Sequence, residues 1–123
     1  MEYVSDVEKS ESIKSFQSTI SKSENALDQM TQKGASITLI KKRLKALYIG
    51  LAILENVWYQ RPHQYNQEDV AEARNVLAGL FPTIRTSYVK AKEGSPQRTL
   101  LKRRIKSLEL AIQAIDELPK EIF

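Results

Sequence analysis

The side chains in this chain best able to do chemistry are two runs of bases. Lys41, Lys42, Arg43 and Lys45 form one run, and Lys102, Arg103, Arg104 and Lys106 form the other. Ammonium and guanidinium groups donate hydrogen bonds and accept none, so the chemistry open to them is the binding of carboxylates and phosphates. The two runs are copies. Thr38-Leu39-Ile40-Lys41-Lys42-Arg43 recurs as Thr99-Leu100-Leu101-Lys102-Arg103-Arg104, and the match continues to Leu47 and Leu108. A repeat at this scale means one supersecondary unit used twice.

A second candidate patch lies between the copies. The stretch from Trp58 to Tyr65 holds the only Trp and the only His, together with Tyr59, Arg61 and Tyr65. Trp, Tyr and Arg dominate binding hot spots, and loops carry function on helical scaffolds. Trp58 falls in step with the apolar seam of the preceding helix and is assigned to the core. Tyr59, Arg61, His63 and Tyr65 remain as the candidate patch.

Catalysis finds little support. The chain has no Cys, so thiolate nucleophiles, cysteine metal sites and disulfides are excluded. No Gly-x-Ser-x-Gly elbow and no Gly-rich phosphate loop occurs. The Glu-x-x-His pairs of di-iron bundles are missing. Glu68 and Glu72 share a helix face, but such a pair in a first turn reads as a solvated cap. The expectation is a non-enzyme with no metal and no cofactor. An orphan enzyme built on the Arg61 and His63 loop is the remotest reading.

The elements that must position these residues are helices. Ile40, Leu44, Leu47, Leu51, Leu54 and Trp58 step by four and three, as do Leu101, Ile105, Leu108, Ile112 and Ile115. Ser5 with Glu8 has capping-box spacing, Ser36, Asn66 and Ser95 can cap later helices, and Gly34 and Gly94 mark stops. Pro96 suits a first helical position. The spacing predicts helices at about 6–33, 36–60, 66–92 and 96–118, the third kinked or broken at Pro82. Helix 1, rich in Ser and weak in apolar residues, is expected to be the least protected. Small residues at spacing four, among them Ala46, Gly50, Ala111 and Ala114, are assigned to tight contacts within the monomer rather than to a homodimer.

One domain of 123 residues is long enough for a genuine core. The predicted fold is all-α, an antiparallel four-helix bundle of two similar hairpins at about 6–60 and 66–118. The longest apolar run, Ala46 to Leu54, is far short of the roughly 20 residues of a membrane span. The acidic start, from Glu2 to Glu8, does not read as a secretory signal, so a cytoplasmic location is expected.

In that bundle both basic runs meet at one pole, because residues 33–48 carry five basic and no acidic side chains and residues 85–106 carry eight and one. The opposite pole collects Asp6, Glu8, Glu11, Glu55, Glu68, Asp69, Glu72, Asp116, Glu117 and Glu121. The expected function is a small interaction module that docks an acidic protein or a phosphate-bearing partner on its basic pole. The alternative is a nucleic-acid-binding accessory protein using the same pole.

Overall fold

The computed structural model describes residues 3–119, all of whose regular structure is helical. The elements are α1 (Asp6–Gln32), α2 (Thr38–Tyr59), α3 (Gln67–Ala78), α4 (Phe81–Lys90) and α5 (Pro96–Asp116). Glu121 lies outside the described residues.

Most boundaries have a local cause. The hydroxyl of Ser5 accepts the backbone N–H of Glu8, Asn66 Oδ1 accepts that of Asp69, and Ser95 accepts that of Arg98. Each satisfies one of the orphan donors of a helix start. Gly34 and Gly94 take positive φ, 70° and 78°, at the turns that follow α1 and α4. The cap expected from Ser36 does not form: Ile37 occupies the cap position of α2 and supplies no side-chain bond.

The third predicted helix is broken two residues before the expected point. Gly79 and Leu80 separate α3 from α4, and Pro82 sits in the first turn of α4, where its missing N–H is tolerated. Both break residues keep right-handed backbone angles, so α3 and α4 form one bent rod.

The helices share one core. Phe16, Ile49, Ile53, Leu54, Leu77 and Leu108 are among its fully buried side chains, and Trp58 closes it as expected. Gly50 sits where α1, α2 and α3 converge. A Cβ there would lie 2.9 Å from Phe16 Cε1 and 3.0 Å from Leu77 Cδ1. The small residues Ala46, Gly50, Ala111 and Ala114 are thus spent on contacts within the chain.

Helix directions depart from the expected all-antiparallel order. Lys42 and Lys45 face Glu72 and Asp69, Ala46 and Ile49 share a groove with Ala73 and Val76, and Gly50 faces Leu77. The two ion pairs cross one another, but from them to the Gly50–Leu77 contact residue numbers rise along both helices, so α2 and α3 run parallel. Glu11 meets Arg103 and Ser15 meets Ser107, a constant offset of 92 positions, so α1 and α5 run parallel too.

The reason lies in the connector, residues 60–66. Gln60 turns left-handed at φ 55°. Asn56 Nδ2 then donates to the Arg61 carbonyl at 2.9 Å, and the Arg61 guanidinium reaches Glu55 at 2.6 Å. Further on, Tyr65 packs against the shared core, and Asp69 and Glu72 meet Lys45 and Lys42. The connector therefore runs back along α2 and delivers α3 to the end where α2 began. The turns at 33–37 and 91–95 consequently lie at opposite ends of the molecule.

Candidate anion-binding surface

The head-to-tail order divides the expected basic pole. Lys41, Lys42, Arg43 and Lys45 open α2 at one end, and Lys102, Arg103, Arg104 and Lys106 open α5 at the other. A helix the length of α2 spans about 33 Å, several times the roughly 8 Å over which physiological salt screens charge. The two runs act separately.

The α2 run is largely answered by its neighbour. Lys42 pairs with Glu72 at 3.7 Å and Lys45 with Asp69 at 3.2 Å. Those carboxylates belong to the first two turns of α3, an ordinary position for acids on a helix and one that parallel packing brings beside the lysines. Lys41 and Arg43 are exposed and make no ion pair among the described residues.

At the other end the bases outnumber their partners. Residues 85–106 carry eight basic side chains and one acidic, and Glu11 is the carboxylate that reaches them, 2.7 Å from Arg103. Arg98 lies over the Tyr88 ring at 4.4 Å, and Arg85 over Phe81 at 4.6 Å. Lys90, Lys92, Lys102 and Lys106 are exposed and have no partner among the described residues. Tyr88, Arg98, Thr99, Lys102, Glu93 and Gly94 border an open cleft of about 220 Å³.

Arg104 behaves differently from its neighbours. It is half-buried, its Nε finds no acceptor among the described residues, and burial pushes its pKa down. Two positions separate it from both Lys102 and Lys106, about 200° around the helix, so it does not share their face.

The α4 helix gives this end its exposure. None of its residues is buried, and Val89 is 73% exposed. The part of α1 beyond Ile20 likewise contributes no buried residue. The shared core lies between these two projecting hairpin tips.

In the second candidate patch the structure brings His63 and Tyr65 together. Arg61 is held by Glu55, and the Tyr65 backbone N–H donates to His63 Nδ1 at 3.2 Å. The His63 and Tyr65 rings stack at 6.0 Å, while Tyr59 stands exposed at the end of α2. Of these residues, Arg61 fastens the returning connector to α2. Among the described residues no group of three or more His, Asp or Glu side chains is placed to hold a metal, and no helix is long and apolar enough to cross a membrane.

Several contacts escaped sequence reasoning. They include the bidentate Arg74–Asp116 pair at 2.7 and 3.0 Å, the Tyr48–Glu24 hydrogen bond, the buried Ser15–Ser107 contact between α1 and α5, and the burial of Ser12. The hydrogen bond to Glu24, followed by burial, raises the Tyr48 pKa. A usable signal existed. Carried backward at the offset that relates Thr38 to Thr99, the repeat aligns Ser5 with Asn66, Glu11 with Glu72 and Phe16 with Leu77.

No family model, no curated protein and no solved structure matches this chain.

Proposed function

We propose that this chain is a duplicated helical hairpin serving as a non-enzymatic interaction module, which binds an acidic protein segment on the exposed surface around the α4–α5 turn. One observation carries the reading: eight basic side chains against one acidic in residues 85–106, with four lysines left unpartnered. Leaving charges of one sign together on a projecting element costs folding stability through self-repulsion, and it raises association rates with oppositely charged partners.

An acidic protein segment fits better than nucleic acid. Binding single strands without sequence preference relies on aromatic faces for base stacking. Here one face of Tyr88 and one of Phe81 are covered by Arg98 and Arg85. The duplication accounts for the basic run of α2 as well: the copy at that end is quenched by Asp69 and Glu72, and the copy in α5 has diverged toward binding.

The test compares the two ends. A fluorescent Asp/Glu-rich peptide is titrated against the chain carrying K90E, K92E, K102E and K106E, and against the chain carrying K41E and R43E. Loss of about tenfold or more in affinity is expected for the first and little change for the second, with helicity by circular dichroism unaltered in both. Equal binding by both variants would contradict the assignment. Tighter binding of an oligonucleotide than of the peptide at the same salt would favour nucleic acid instead.

A further inference from the structure

The contacts between the two hairpins are made twice, once in each direction. Lys42 in the first hairpin pairs with Glu72 in the second, and Arg103 in the second pairs with Glu11 in the first. Arg103 and Glu72 lie 61 positions beyond Lys42 and Glu11 respectively, the offset that separates Thr99 from Thr38. The cap residues Ser5 and Asn66, and the buried Phe16 and Leu77, obey the same offset. Each hairpin therefore offers the other the surface it receives, which is the defining property of a two-fold interface between identical subunits.

The connector that keeps this interface inside one chain has no slack. Gly50 facing Leu77 places Gln67, the first residue of α3, level with Ile40 of α2. From Tyr59 back to that level is nineteen helical residues, about 28 Å. From Tyr59 to Gln67 is eight chain steps, which reach at most about 26–29 Å when fully extended. Closure within one chain thus depends on a taut strap turned back by Gln60, Asn56 and Glu55.

We infer that the seam between the hairpins is also an interface for a second copy of this chain: two molecules can close on one another by exchanging hairpins, with the connector continuing outward instead of turning back. A taut connector beside a two-fold interface is the arrangement in which exchange relieves the constraint at no loss of contacts. The inference rests on the duplicated packing described above and not on the acidic partner, so a failure of peptide binding leaves it standing.

The deciding experiment removes Pro62, His63 and Gln64 from the full chain, shortening the strap by about 10 Å. Light scattering after gel filtration is expected to give twice the monomer mass, with helicity unchanged. Adding S15C and S107C and oxidising should then give a covalent dimer, whereas the same cysteines on the full-length connector should close within one chain. A second variant, E55A/N56A, keeps the connector length and loosens the reversal; its dimer fraction should rise with protein concentration during refolding. A folded monomer from the shortened chain, a shortened chain unfolded at every concentration, or an E55A/N56A chain that stays monomeric would each overturn the inference.

Discussion

The seam between α1 and α5 and the seam between α3 and α2 occupy matching positions, but they are filled with different chemistry. Across the first Ser15 meets Ser107, with Ser12 buried one turn before it on α1; across the second lie Ala73 and Val76 against Ala46. Burial of the matched positions is alike: Ser12 is 3% exposed and Ala73 2%, Ser107 2% and Ala46 1%. The backbones can therefore approach equally on both sides. The difference is that the first seam buries hydroxyls, which must be hydrogen-bonded to avoid a desolvation cost. Ser107 meets this by donating to the Arg104 carbonyl of its own helix at 2.8 Å, and its contact with Ser15 is long, 3.4 Å. Little of that bonding joins α1 to α5. A small side chain fixes the spacing of two helices, while its apolarity fixes how firmly they hold.

The largest test of the difference is truncation of the most deeply buried large side chain on each side. Phe16 is 1% exposed and Leu77 fully buried. Phe16→Ala should cost about 3–5 kcal/mol and Leu77→Ala about 2–5 kcal/mol, measured by urea unfolding. Because Ile20 is the one other large apolar side chain that α1 buries, amide exchange after Phe16→Ala should accelerate along α1 ahead of the rest, whereas Leu77→Ala should loosen the molecule as a whole.

Next in size is conversion of the polar seam into its apolar counterpart. Ser12→Ala, Ser15→Val and Ser107→Ala together should raise stability by on the order of 1 kcal/mol, because paired polar groups replaced by apolar ones of fitting shape are neutral or better. A large loss instead would show that the serines bond across the seam.

Smaller still are the ion pairs. Double-mutant cycles should give Glu11–Arg103 and Glu72–Lys42 each about 0.2–1 kcal/mol, the former larger for its closer geometry, and both reduced by salt.

The smallest effect concerns pH. The hydrogen bond from Arg74 holds the Asp116 carboxyl below its ordinary pKa. Its contribution is therefore complete above the unfolded value, about 3.9, and is lost as pH falls through the lower folded value. Arg74→Gln should flatten the acid limb of the stability profile slightly, both groups being exposed. The matching carboxylate of the first hairpin, Glu55, is taken by Arg61 instead.

Helix positions were legible because the apolar steps and the caps at Ser5, Asn66 and Ser95 are local signals. The burial of Trp58 and the turns at Gly34 and Gly94 belong to the same class. Direction was not legible. Whether α3 starts beside the end of α2 or beside its beginning is decided by seven connector residues, through Gln60 turning left-handed and the Asn56 and Glu55 contacts. No periodicity encodes that choice. An antiparallel α2 and α3 puts one basic pole where two separated runs exist, and sets the acids at the start of α3 far from Lys42 and Lys45 instead of beside them. The surface around the α4–α5 turn survives the correction because its excess of charge lies within a single hairpin.

The parallel pairing of α1 with α5 is the claim on which the rest stands, and the absence of native Cys makes it directly measurable. Ser15 and Ser107 have their oxygens 3.4 Å apart, within reach of a disulfide after replacement by Cys. S15C/S107C should oxidise rapidly within the monomer and retain native helicity, while S15C paired with a cysteine at Thr99, eight residues nearer the start of α5, should stay reduced. Ready closure of the Thr99 pair, with the Ser107 pair remaining as free thiols, would contradict the head-to-tail order.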